Sequence, residues 1–216
     1  MMNFQLLPER LKKKFRSLLS PVIKFFIQYE LNPNFFTTIS LIICALSAYQ
    51  FGKGSLRYGG FLVLLGGLFD MIDGDVARAS NRVTRFGALY DSTLDRYAEI
   101  LIFFGLGFHF IDKYSTSSTG LLVSMAIFLA LAGSIMVSYV RARAEGLGFE
   151  CKVGIMQRPE RIILIGFGSL ISEVVLIVSI VIIAILAHFT AIQRIYYIWT
   201  AENSSKWHKI SKIDHE

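Results

Sequence analysis

"DMIDGDVARASNRVTRFGALYDSTLD", residues 70–95, decides the reading of this chain. It places Asp70, Asp73, Asp75, Asp91 and Asp95, five of the sixteen acids, straight after the apolar run "GGFLVLLGGLF". A charged side chain deep in a membrane span costs about 2.5–3.5 kcal/mol on insertion scales, so acids in such company need partners. Asp70 and Asp73 are three residues apart, and Gly74, Ala77 and Arg78 continue the same helical face; Gly87, Asp91 and Asp95 recur every four residues on the next helix. Two antiparallel helices would each present two carboxylates. Small residues at Gly66, Gly67, Gly74, Ala77, Gly87 and Ala88 would let the backbones come close enough for the four to meet.

The rest of the chain is membrane-like: 54% of its 216 residues are hydrophobic and only 18% are charged, which argues against an ordinary soluble domain. The predicted fold class is an all-α integral membrane protein with six transmembrane helices preceded by an amphipathic interfacial helix. Spans of about 20 apolar residues are predicted at 35–52, 58–78, 88–111, 119–143, 159–173 and 174–198, the last two separated by a tight turn at Ser172 and Glu173. The expected organisation is a juxtamembrane helix over 1–31, a six-helix domain over 32–199 and a tail over 200–216. In the first segment Leu11, Phe15, Leu18, Leu19, Val22, Phe25 and Phe26 form an apolar stripe opposite a lysine-rich face, the pattern of a helix lying in the interface on anionic lipids. "NPN" at 32–34 then ends it. No cleavable signal peptide is expected.

With six spans, one side receives Arg10, Lys12, Lys13, Lys14, Arg16 and Lys24, the 79–87 and 144–158 loops and the tail; the other receives only Lys53, Arg57 and Lys113. The positive-inside rule therefore predicts a multi-pass protein of the cell inner or plasma membrane, with both termini and the aspartates facing the cytoplasm. Cys44 and Cys151 are too few and too differently placed for a disulfide frame or metal site. His109, His188, His208 and His215 read as interfacial or solvated, and Trp207 among the tail lysines as a headgroup-level anchor. Membrane lipids are expected partners and nucleic acid is not.

Four carboxylates in one place repel one another unless cations lie between them. Oxygen-only ligands favour hard ions, so two Mg²⁺ are expected, with Mn²⁺ as the alternative. Such a pair clamps a diphosphate during phosphoryl transfer. Gly74 would leave room for the ligand against the helix, and Arg78 would neutralise a phosphate.

Asp70-x2-Asp73-Gly74-x2-Ala77-Arg78-x8-Gly87-x3-Asp91-x3-Asp95 resembles, at every fixed position and gap, the motif of the CDP-alcohol phosphotransferase family. The resemblance implies a homodimeric membrane enzyme that moves a phosphatidyl-type group from a CDP-lipid such as CDP-diacylglycerol to an alcohol and releases CMP. It implies that Asp70, Asp73, Asp91 and Asp95 ligate the metals and that Asp95 also takes the acceptor's hydroxyl proton. Gly74, Arg78 and Thr84 match positions that hold the cytidine diphosphate, and Asn32, Pro33, Asn34 and Phe35 resemble the segment that closes over the nucleotide. Asp75 falls at a variable position.

The acceptor is argued from arginines. "SYVRARAEGLG" and "QRPERIILIG" bring Arg141, Arg143, Arg158 and Arg161 to the aspartate side, and guanidinium groups suit a phosphate dianion. With "DSTLDR" and the late "QR" at 193–194, the pattern looks most like the branch of the family whose acceptor is inositol 1-phosphate, and Arg141, Arg158, Arg161 and Arg194 are the expected phosphate ligands. In that branch the pocket usually begins with a lysine where this chain has Arg141. Glycerol 3-phosphate and serine are the alternative acceptors. A cation transporter is the non-enzyme alternative, but it predicts acids in corresponding spans of a repeat, and a prenyltransferase would carry its aspartate pairs farther apart.

Overall fold

The structure, a computed structural model, describes residues 20–21, 23, 25–29, 32–80, 82–114 and 117–213, with side chains as far as residue 203. Among the described residues six long helices follow in order: α1 (Pro33–Gly52), α2 (Leu56–Ala79), α3 (Arg85–Tyr114), α4 (Ser118–Gly146), α5 (Arg158–Ile171) and α6 (Glu173–Ile213). No strand occurs among the described residues.

Their packing partners close a circuit. α1 lies against α2 and α3, α2 against α5, α5 against α6, α6 against α4, and α4 against α3. Helices α4 and α5, consecutive in the chain, are thus separated in space by α6. The 147–157 segment that joins them is stitched to α6, because Met156 N donates to Thr190 Oγ1 at 3.0 Å and Arg194 Nε donates to Val153 O at 2.8 Å. Burial pushes the thiol of Cys151, in this segment, above its ordinary pKa, which keeps it an unreactive packing group.

Small residues set the spacing. A Cβ on Gly105 of α3 would lie 2.2 Å from the carbonyl oxygen of Ala48 on α1, so only glycine permits this approach. Buried hydroxyls join α1 to α2: Ser40 Oγ donates to Gly66 O at 2.9 Å and Ser47 Oγ to Gly59 O at 2.8 Å. Phe51, Val63, Phe103, Leu106, Phe110, Ile165, Leu176, Ile180 and Ile183 belong to the central apolar cluster. Outward faces carry exposed apolar side chains such as Leu46, Phe104, Phe108, Leu122, Phe128 and Ile185, a surface suited to lipid.

Among the described residues three helices are long and apolar enough to cross a membrane, Pro33–Gly52, Ser118–Gly146 and Glu173–Asn203, with mean hydropathies of 1.5, 2.3 and 2.8. α2 and α3 carry the acids that lower theirs. α5 has 14 residues, about 21 Å at 1.5 Å per residue, short of a hydrocarbon core of about 30 Å. The turn at Ser172 and Glu173 is where it was expected, with Ser172 extended between the two helices. α6 does not end near 198 but runs to Ile213, taking in much of the expected tail.

The expected interfacial helix lies mostly outside the described residues, Leu11, Phe15, Leu18, Leu19 and Val22 among them. At its described end, residues 25–28 are helical. Phe26 packs on Phe36 with ring centroids 4.7 Å apart, and Ile23 is buried in a cluster with Phe36, Ile72 and Val76.

Candidate active site

Helix caps fix the entrance. Asn32 Oδ1 accepts from Asn34 N at 3.0 Å, and Pro33 supplies the preset first turn of α1. Thr84 Oγ1 does the same for α3, accepting from Gly87 N at 2.9 Å. The two caps adjoin: a Cβ on Gly87 would lie 2.9 Å from Thr84 Oγ1 and 3.5 Å from Asn34 Oδ1. Thr38 Oγ1 and Tyr90 Oη, 3.0 Å apart, tie α1 to α3 one turn further in. Asn32, Asn34 and Thr84 are therefore brought together, while Phe35 stands 53% exposed beside Phe36. Arg78 folds back over Gly74, where an added Cβ would meet its Nη2 at 3.1 Å, and it is held there by Asp75 at 2.6 Å.

Three of the four motif aspartates converge. Carboxylate oxygens of Asp70, Asp91 and Asp95 lie within 4.8 Å of one another, an all-oxygen set that suits a hard divalent cation. Asp73 is turned toward α1, where it accepts from Thr37 Oγ1 at 2.8 Å and is 5% exposed. Its spacing of three from Asp70 keeps it on the same side of α2, but a buried hydroxyl on α1 takes up its carboxylate.

The arginines do not form one undifferentiated cluster. Arg158 Nη1 is 2.5 Å from Asp70 Oδ2 and 2.8 Å from Asp95 Oδ1, so this expected phosphate ligand already sits against the acids. That a cation is accepted there is independent support for the fit of a metal. Arg161, also expected to bind phosphate, is 1% exposed and committed elsewhere: Nε and Nη2 donate to Glu99 at 2.6 and 3.1 Å, and Nη1 donates to Met156 O at 3.1 Å. Arg194 is also buried, with Nη1 on Val137 O at 2.5 Å and Nε on Val153 O. Arg141 is half exposed and pairs with Glu145, one turn on, at 2.8 Å.

These groups share one open cavity of about 990 Å³, lined by residues of α2 to α6. Asp70, Arg78, Asp91 and Asp95 line one part of its wall, and Arg141, Arg158, Arg161 and Arg194 also border it. Glu99 was missed in the sequence, as was Thr37. An acid one turn after Asp95 inside "YAEILIFF" does signal a buried partner, but the partner lies 62 residues away.

The sequence profile of the CDP-alcohol phosphatidyltransferases matches residues 30–201, and the chain belongs to that family. It is a transferase and a membrane protein. Its relatives include the archaetidylinositol phosphate synthase of Methanothermobacter thermautotrophicus, 39% identical over 188 residues that cover 83% of this chain and 91% of that one. The phosphatidylinositol phosphate synthase of Mycobacterium tuberculosis is 31% identical over 209 residues, covering 90% and 92%. A crystal structure of the M. tuberculosis enzyme with CDP-DAG bound superimposes with a TM-score of 0.76 at 29% identity, covering 85% of this chain and 94% of that one. Another, in complex with manganese and citrate, gives 0.73 at 31% identity, covering 83% and 88%.

Proposed function

We propose that this chain transfers a phosphatidyl or ether-lipid equivalent group from a CDP-lipid to inositol 1-phosphate and releases CMP, as a step in phospholipid biosynthesis. The observation that carries the reading is the single cavity on which the acid cluster and the arginines meet. Relatives named for inositol phosphate products support the acceptor.

In this reading Asp70, Asp73, Asp91 and Asp95 hold two Mg²⁺, for which Mn²⁺ can substitute; when bound, these supply charge neutralisation for the diphosphate and the leaving phosphate. Asn32, Pro33, Asn34 and Phe35 with Thr84 close over the cytidine end, and Gly74 leaves space that Arg78 borders. Arg141, Arg158 and Arg194 orient the acceptor's phosphate, with Arg161 behind them. Asp95 takes the proton from the acceptor hydroxyl. That oxygen then bonds to the lipid-side phosphorus as the bond to the CMP oxygen breaks, an in-line displacement.

The full reading has six spans, with both termini and the cavity toward the cytoplasm, and a homodimer. Lysine and arginine crowding on one side supports the orientation. The test is CMP release by the purified protein with Mg²⁺ and CDP-diacylglycerol, adding inositol 1-phosphate, free inositol, glycerol 3-phosphate or serine in separate reactions. Release that needs inositol 1-phosphate and is lost in Asp95→Asn is the expected result. Release with glycerol 3-phosphate or serine instead would overturn the acceptor, and none with any alcohol would overturn the activity.

A further inference from the structure

Asp95 and Glu99 stand one turn apart on α3, and Arg158 and Arg161 one turn apart on α5. They meet as two rungs, Asp95 with Arg158 at 2.8 Å and Glu99 with Arg161 at 2.6 Å. Asp70 of α2 joins only the first rung. The second rung is the more buried: the side chain of Arg161 is 1% exposed and that of Glu99 10%. Cys44, Val63, Ala98, Ile102, Ile162 and Ile165 line a small cavity with Glu99, Arg158 and Arg161, so the second rung has an apolar side as well as its border on the larger cavity.

We propose that Glu99 is a positioning residue for the metal and acceptor side of the site. It acts through Arg161: by taking that guanidinium in a two-bond pair, it leaves Arg158 as the one α5 cation that reaches Asp70 and Asp95. If Glu99 is neutralised, Arg161 keeps its bond to Met156 O but loses its carboxylate partner at a position where its side chain is 1% exposed. The next acid along α3, one turn before Glu99, is Asp95, and a guanidinium that turned to it would compete with a divalent ion for its carboxylate. The proposal rests on the reading above for the reaction, but its effect on cation binding does not need the acceptor to be correct.

The experiment uses full-length protein in detergent, titrated with Mn²⁺ alone and followed by the electron paramagnetic resonance signal of the free ion, with thermal unfolding measured alongside. Wild type, Glu99→Gln, Arg161→Gln and the double variant make a cycle. Glu99→Gln is expected to weaken Mn²⁺ binding about tenfold, and in the Arg161→Gln background the same change is expected to matter by about twofold or less. A fixed-field effect of the carboxylate would instead act equally in both backgrounds and would overturn the proposal. So would unchanged Mn²⁺ binding in a folded Glu99→Gln protein with a lowered Tm, since that assigns Glu99 to the fold alone. Should Glu99→Gln fail to fold, the double variant, in which two neutral amides can still pair, carries the test: it is expected to bind Mn²⁺ within about threefold of wild type, and a larger loss refutes the assignment. A wild type that binds Mn²⁺ but releases no CMP with any acceptor would sink the proposed reaction and leave this inference standing.

Discussion

Arg158 bridges Asp70 and Asp95 with a single nitrogen, Nη1, 2.5 Å from one carboxylate and 2.8 Å from the other. A residue expected to greet the acceptor's phosphate is thus bonded to the acids expected to hold metal. The two tasks are compatible if the guanidinium stands between cation and phosphate, but it must yield some carboxylate oxygen to a divalent ion. Arg158→Met should therefore lower Tm in chelator and enlarge the rise in Tm on adding Mn²⁺, because binding to the folded state alone stabilises it by an amount that grows with the logarithm of affinity. An equal or smaller rise would show that Arg158 and metal do not compete.

The same substitution removes charge-assisted hydrogen bonds worth about 1.5–3 kcal/mol each. CMP release driven by inositol 1-phosphate should fall by tenfold or more, mostly in the acceptor's KM. A loss confined to the KM for the CDP-lipid would move Arg158 to the other substrate.

Thr37→Val is expected to disturb Asp73, whose bond from Thr37 Oγ1 satisfies a carboxylate that is only 5% exposed. Leaving a buried acceptor without its donor costs about 1–3 kcal/mol. Thermal unfolding should detect that loss, and Thr37→Ser, which keeps the hydroxyl, should recover most of it.

Gly74→Ala is a gentler probe. The new methyl would come 3.1 Å from Arg78 Nη2, the end of a flexible side chain, so the fold should tolerate it while Arg78 is pushed aside. We expect an unchanged Tm and a KM for the CDP-lipid raised about tenfold, the worth of one charged hydrogen bond. An unchanged KM would remove Arg78 from nucleotide binding.

Arg141 and Arg194 should separate cleanly. Arg141, half exposed and paired with Glu145 on its own helix, should give up acceptor affinity on conversion to Ala with stability held within about 0.5 kcal/mol, as for surface changes. Arg194→Ala should lower Tm as well, because the Val137 and Val153 carbonyls lose their donor. Equal Tm losses in the two variants would contradict this division.

The aspartate site was legible in the sequence because helical spacing is local: Asp91 and Asp95 share a face by being four apart. The ends of the helices were also legible where caps are local, as at Asn32 and Ser172. What the spacing could not tell was which side chain on a distant helix would claim each charge. Asp73 went to Thr37, 36 residues away, and Arg161 to Glu99, 62 away. Both choices depend on the order in which helices neighbour one another, and no local pattern encodes that order. α5 was legible from local signals: a span over 159–173 was expected, and the helix runs from Arg158 to Ile171, with Pro159 in its first turn and Ser172 ending it.

That neighbour order bears on how the enzyme is made. α5 leaves the ribosome before α6, yet its place is between α2 and α6, and α6 also supplies the contact that closes the circuit through α4. Until α6 has been inserted, α4 has one neighbour instead of two and the segment from 147 to 157 has no Thr190 or Arg194 to hold it. A nascent chain therefore carries the clustered acids Asp70, Asp91 and Asp95 before α6 is there to complete the wall of the cavity they line, so the cavity is finished only once α6 has taken its place.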